Sequence, residues 1–116
     1  MKGQTIKGSV PSKSNNYRIS GNRLYKTEAV RTYERLFSLQ YKRHETITTE
    51  FGLSVKVYMV NKRADLDGVF KVLLDNLQTV GAIQNDSLCT HIEAFKFIDK
   101  TNPRIELELK QISGFV

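Results

Sequence analysis

With 116 residues, 40% of them hydrophobic and 26% charged, the chain has the size and make-up of one globular domain, 1–116, and is too short for two full cores. No apolar run approaches the roughly 20 residues of a membrane span, and the opening Met1-Lys2-Gly3-Gln4-Thr5 lacks the apolar stretch of a secretory signal. The lone Cys89 excludes an internal disulfide and a multi-cysteine metal site, so a cytoplasmic protein is expected; no phosphate-cradling Gly-rich loop occurs, and no small-molecule cofactor is expected either.

Residues 3–10 alternate weakly and fit a short first strand. Pro11-Ser12-Lys13-Ser14-Asn15-Asn16 has the composition of a loop, and Gly21-Asn22 is a second turn signal. Thr27 is placed to cap a helix whose apolar stripe is Val30, Tyr33, Phe37 and Tyr41. Arg31, Arg35, Lys42 and Arg43 fall mostly off that stripe. Leu53, Val55, Val57 and Met59 alternate with Ser54, Lys56, Tyr58 and Val60, a strand with one buried face. After the polar Lys62-Arg63-Ala64 comes the most regular helix, with the stripe Leu66, Val69, Phe70, Leu73, Leu74 and Leu77. Gly81 suits the left-handed residue that ends a helix, and Ala82-Ile83 fits a brief extended piece. Leu88, Thr90, Ile92 and Ala94 alternate in a strand running toward Ile98. Asp99-Lys100-Thr101-Asn102-Pro103 reads as a hairpin loop into a last, half-exposed strand through Ile105, Leu107 and Leu109. The sum is an α+β fold: a mixed or antiparallel sheet packed by two principal helices.

Charge is unevenly spread. Residues 1–43 carry ten Lys or Arg against Glu28 and Glu34, a net of +8, whereas residues 44–116 carry eight basic and ten acidic side chains, a net of −2. A polyanion-binding surface built by the N-terminal third fits this, and so does a solvated basic helix face. Charge alone does not choose between them.

Four of the five aspartates, Asp65, Asp67, Asp75 and Asp86, fall within 22 residues. Either Asp65 or Asp67 alone is explained as a helix cap, since carboxylates favour a first turn. Two together exceed what capping needs. Asp67, Lys71 and Asp75 are four apart and share one helix face, though an ordinary ion pair accounts for Asp67 and Lys71 by themselves. The helix climbs about 18 Å from Asp67 to Thr79. The five residues from Gly81 to Asp86 can return at most about 18 Å, so a tight reversal brings Asp86 just within reach of Asp65 and Asp67. Contact across a subunit interface is the other route. Converging carboxylates and a lysine suit metal-assisted phosphodiester hydrolysis, because Mg²⁺ takes hard oxygen ligands and lysine offsets phosphate charge. His44, Cys89 and His91 have no metal-ligand spacing.

The run Arg63-Ala64-Asp65-Leu66-Asp67-Gly68-Val69-Phe70-Lys71, then Leu74-Asp75-Asn76-Leu77 and Gly81-Ala82-Ile83-Gln84-Asn85-Asp86-Ser87, resembles the motifs of RusA-type Holliday junction resolvases. Val10-Pro11-Ser12-Lys13-Ser14-Asn15 is similar to the family's opening Pro-Ser-x-Asn loop. The resemblance implies a homodimeric Mg²⁺-dependent endonuclease, with Mn²⁺ able to substitute, that nicks four-way DNA junctions in symmetric pairs and leaves 5′-phosphate ends. It assigns Asp65, Asp67 and Asp86 as metal ligands and catalytic carboxylates, Lys71 as the catalytic lysine, and Asp75 and Asn85 as supporting residues. Lys13, Asn15, Arg18, Arg23, Lys26, Arg31, Arg35 and Arg63 are the candidate DNA contacts. Gly68 and Asn85 depart from the pattern, standing where the family has Asn and Asp. A phage or prophage origin is in keeping with the family. Two other readings stay open: a catalytically weakened DNA-binding protein of the same fold, and a metal-dependent nuclease for another branched DNA or for RNA.

Overall fold

A computed structural model describes residues 3–11, 17–20, 23–63 and 66–112, with 17–20 and 23–26 described for the backbone alone. Six strands and two helices follow in the order β1 (Gln4–Lys7), β2 (Tyr17–Ser20), β3 (Arg23–Lys26), α1 (Glu28–Gln40), β4 (Phe51–Met59), α2 (Leu66–Thr79), β5 (Cys89–Ile98) and β6 (Arg104–Gln111), with a 3₁₀ turn at Asp86–Leu88 before β5. β1, β6, β4 and β5 form one sheet in that spatial order, and β2 and β3 form a separate antiparallel pair. β4 runs antiparallel to β6 and parallel to β5, so the sheet is mixed and the fold is α+β, as the periodicities imply.

Alternation dictates the sheet's two faces. Phe51, Leu53, Val55, Val57 and Met59 are buried, and opposite them in register lie Leu109, Leu107 and Ile105 of β6. Val30, Tyr33 and Phe37 of α1 and Val69, Val72, Leu73 and Leu77 of α2 close over this face in one core. The buried side of α2 is rotated from its predicted stripe. Phe70 and Leu74 are only half-buried, whereas Val72 and Asn76 are buried. Asn76 is tolerated there because its side-chain amide donates to the Val72 carbonyl at 2.9 Å, which satisfies a group that would otherwise be costly to bury. Among the described residues no helix is long and apolar enough to cross a membrane.

Three sequence expectations change. Thr27 holds the N-cap position of α1 but makes no side-chain capping hydrogen bond. The 99–103 segment is not a hairpin loop, because β4 lies between β5 and β6. It crosses the end of β4, where Asp99 N–H donates to the Met59 carbonyl at 2.8 Å, and spans two strand spacings of about 4.8 Å each. β5 lacks the expected one-sided burial and is exposed on both faces. The antiparallel pairing of β2 with β3 was not anticipated, although the Gly21-Asn22 turn signal falls between the two strands, outside the described residues.

β4, α2 and β5 make a β-α-β unit, since parallel neighbours require a crossover and α2 supplies it. That topology starts α2 just beyond the carboxyl end of β4. Its other end is a full C-terminal cap. Gly81 adopts φ +79°, Gly81 N–H donates to Gln78 O at 3.1 Å and Ala82 N–H to Leu77 O at 2.9 Å, the paired bonds of a Schellman motif. The chain beyond is then pinned to residue 47, with Ile47 N–H on Ala82 O at 3.0 Å and Gln84 N–H on Ile47 O at 2.9 Å. The chain is thereby turned back along α2.

Candidate nuclease site

The side of α2 away from the core carries a polar row. Asp67 and Lys71 are exposed, Asp75 is half-buried and Gln78 is exposed, with spacings of four, four and three that keep them on one face. The returning chain meets this row at its far end. Gln78 Oε1 accepts the Asp86 N–H at 3.1 Å, and the 3₁₀ turn packs on α2. Helical side chains lean toward the N-terminus, so the meeting point lies over the turn that carries Asp75. Asn85 shapes the approach, its Oδ1 accepting the Ser87 N–H at 2.8 Å while its carbonyl accepts the Leu88 N–H at 3.2 Å. Asn85 is thus the cap of the turn that presents Asp86.

Asp86 is therefore fixed beside the second half of α2, and Asp67 lies about 16 Å of helix rise from Gln78. Asp65 lies outside the described residues. Among the described residues no three His, Cys, Asp or Glu side chains gather closely enough to hold a metal ion. The donor chemistry nonetheless suits Mg²⁺, which takes oxygen ligands and needs only one or two carboxylates when phosphate and water complete its shell. Gln78 is the residue that sequence reading missed. Its place seven residues after Lys71, on the Asp67–Lys71–Asp75 face, was the available signal.

Neighbouring titratable groups have other tasks. Burial above all, with the negative charge of Asp86 adding to it, pushes the Cys89 thiol up, so it stays protonated and is a poor nucleophile. His44 Nδ1 lies 2.8 Å from the Glu45 carbonyl, which can only accept, so Nδ1 carries the proton. In the neutral ring Nε2 then accepts from the Tyr41 hydroxyl at 2.6 Å, and burial raises that phenol to about 12.

Of the candidate DNA contacts, Arg31 and Arg35 are exposed on α1, and Arg63 is exposed after β4, its N–H held by Asn61 Oδ1 at 2.9 Å. Arg18, Arg23 and Lys26 fall on the β2–β3 hairpin, whose register sets position 18 opposite 25 and position 20 opposite 23. Positions 18 and 23 thus share one face and 26 lies on the other. Lys13 and Asn15 lie outside the described residues.

A model of the endodeoxyribonuclease RusA family matches residues 8–110, from the end of β1 through all but the last residue of β6. The chain belongs to the RusA endodeoxyribonuclease family. No curated protein matches it. RusA proteins are endonucleases that resolve Holliday junctions, acting on branched DNA. Membership accounts for the order of the acidic residues around α2, and it leaves the role of each side chain to be argued from its own chemistry.

Proposed function

We propose that this RusA-family protein is a Mg²⁺-dependent endonuclease that resolves four-way DNA junctions by paired symmetric nicks and leaves 5′-phosphate ends. The observation that carries the reading is the polar row of α2 with Asp86 returned to it by the Gln78 hydrogen bond. A merely solvated helix face has no need of a second acidic segment docked on it. Asp65, Asp67 and Asp86 would hold the ion, with Mn²⁺ able to replace it; because the Gln78 bond keeps Asp86 at the far end of the row from the same chain's Asp67, the Asp86 of that site would come from the second copy of a dimer. When bound, it makes water more acidic and offsets charge on the scissile phosphate. Lys71 lies one turn from Asp67 and supplies a fixed positive charge toward the phosphate oxygens. Asp75 and Asn85 support the row and the turn. Lys13, Arg18, Arg23, Lys26, Arg31, Arg35 and Arg63 would neutralise phosphates on the arms of the junction, and Asn15 would hydrogen-bond to the backbone there. Two such sites are needed for two symmetric nicks, which a two-fold homodimer supplies.

Synthetic four-way junctions, linear duplexes and single strands, incubated with the protein with and without Mg²⁺, test this. Paired nicks confined to the junction and to the metal-containing samples, with ends that a ligase reseals, are expected. Equal cutting of duplex or of flapped substrates would assign the site to another branched nucleic acid. Tight junction binding without cutting would favour the weakened DNA-binding reading, to which Gly68 and Asn85 lend some support.

A further inference from the structure

The turn that presents Asp86 is held not only from α2 but also from the connection between α1 and β4. That connection is tied down at its start. Gln4 of β1 exchanges two hydrogen bonds with Lys42, its Nε2 donating to the Lys42 carbonyl at 2.8 Å and its Oε1 accepting the Lys42 N–H at 2.7 Å. Tyr41 and His44 then meet at 2.6 Å, with their rings edge-on. At its other end the connection reaches the chain returning from α2. Ile47 and Ile83 are both buried and form a parallel bridge, so the Ile47 bonds tie the connection to the return. One residue earlier, the Thr46 hydroxyl donates to the Gly81 carbonyl at 2.7 Å, which ties the same connection to the end of α2 itself.

Gly81 is the pivot between helix and return, and packing does not hold it. Its φ of +79° suits glycine and few other residues. A Cβ on it would meet no atom within 4 Å. A cavity of about 320 Å³ opens there, lined by Tyr41, His44 and Thr46 of the connection and by Thr79, Val80 and Gly81 at the end of α2. Directed bonds therefore set the direction in which the chain leaves the helix. The Gly81 N–H is fixed on Gln78 O at 3.1 Å, and the Gly81 carbonyl is fixed by Thr46.

We propose that Thr46 is a positioning residue for cleavage, its hydroxyl fixing the Gly81 carbonyl and, through it, the place at which Asp86 is presented. Thr46 touches neither metal nor DNA in this role and acts through the backbone of the return. The Gln78 bond holds the tip of the return at the Asp86 N–H, and Thr46 holds its root. Thr46 is itself exposed, so its side chain adds little to the core and its hydroxyl is the part that matters. The effect on cleavage rests on the reading that Asp86 holds the metal ion. The hold on the turn does not.

Thr46→Val keeps the branched shape and removes the donor, whereas Thr46→Ser keeps the donor. Amide hydrogen exchange of the full chain without metal is the first readout. In Thr46→Val the Ala82, Gln84 and Asp86 amides should exchange at least about tenfold faster than in the parent, while those of Val72 and Leu73 inside α2 keep their rates. Mg²⁺-dependent junction cleavage is the second. It should fall about tenfold, since a misplacement of about 1 Å can cost ~100-fold and the Ile47 and Gln78 bonds remain. Metal-free junction affinity should hold at the parent value, and Thr46→Ser should restore both exchange and cleavage. Parent exchange rates in Thr46→Val would overturn the proposal, as would faster exchange with parent cleavage. A cleavage defect that Thr46→Ser does not repair would also overturn it, because the hydroxyl would not be its cause. A parent protein that cuts no junction would overturn the nuclease reading instead, and the exchange rates would still decide whether Thr46 holds the turn.

Discussion

The two faces of α2 do opposite work on one scaffold. Val69, Val72, Leu73 and Leu77 are fully buried and hold the helix on the sheet, while the Asp67–Lys71–Asp75–Gln78 row contributes little packing and receives Asp86 from outside. The difference is that position and chemistry are separable here. The apolar face determines where the row lies, and the row determines what can be done there. Substitutions on one face should therefore cost stability and on the other activity, with little crossover.

The largest separation is expected at the returning turn. Asp86→Asn keeps the backbone N–H that Gln78 accepts and removes only the charge, so Mg²⁺-dependent junction cleavage should fall by at least about a hundredfold while the melting temperature holds. Asp65→Asn should behave alike, and gel-based cleavage beside thermal melts reads both. On the other face, Leu73→Ala should cost about 2–5 kcal/mol in urea unfolding and leave cleavage per folded molecule near parent at low temperature. Lys71→Ala sharpens the division from between. Its stability should move by less than about 0.5 kcal/mol, yet cleavage and junction affinity should fall together, because a positive charge facing phosphate is lost. Replacing Arg18 and Arg23 with Ala should weaken junction binding and lower the slope of log K against log salt by about 0.9 for each phosphate contact removed. An unchanged slope would leave the hairpin without a role in binding.

The smallest effect lies away from α2. The Arg104 guanidinium at 3.0 Å, aided by the Thr101 hydroxyl and the Thr101 and Asn102 N–H groups, holds the Asp99 carboxyl below its usual range. A carboxylate depressed in the folded state stabilises above its unfolded pKa, and that contribution disappears as pH falls through the folded value. Asp99→Asn should therefore make stability slightly less sensitive to acid below the ordinary carboxylate range. The effect is small because the pair is solvent-screened. Urea midpoints along a pH series measure it.

What the sequence makes legible follows the range of the interactions involved. α1, β4, α2 and the glycine that ends α2 are local patterns, set by 3.6- and 2-residue periods and by a left-handed φ, and all are present. The β2–β3 hairpin was also locally marked, since Tyr17-Arg18-Ile19-Ser20 and Arg23-Leu24-Tyr25-Lys26 flank a Gly-Asn turn. Its polar-rich alternation hid it. The insertion of β4 between β5 and β6 is a choice of partner among strands, which no local period encodes. At the site, the one-face spacing of Asp67, Lys71 and Asp75 could be read directly. The anchoring of Asp86 depends on Gln78 and on bonds between Ile47, Ala82 and Gln84, contacts between segments far apart in sequence.

Asp67→Asn decides most directly between site and scaffold, with metal-free junction affinity and Mg²⁺-dependent cleavage measured on the same preparation. An Asn caps a helix about as well as Asp, so a capping role leaves both quantities at parent values. A metal-holding carboxylate that faces phosphate behaves differently: cleavage falls by orders of magnitude, while metal-free affinity holds or rises as a repulsive charge is removed. That second pattern is the predicted result. Cleavage by Asp67→Asn at the parent rate would contradict the assignment of the polar face of α2 as the nuclease site.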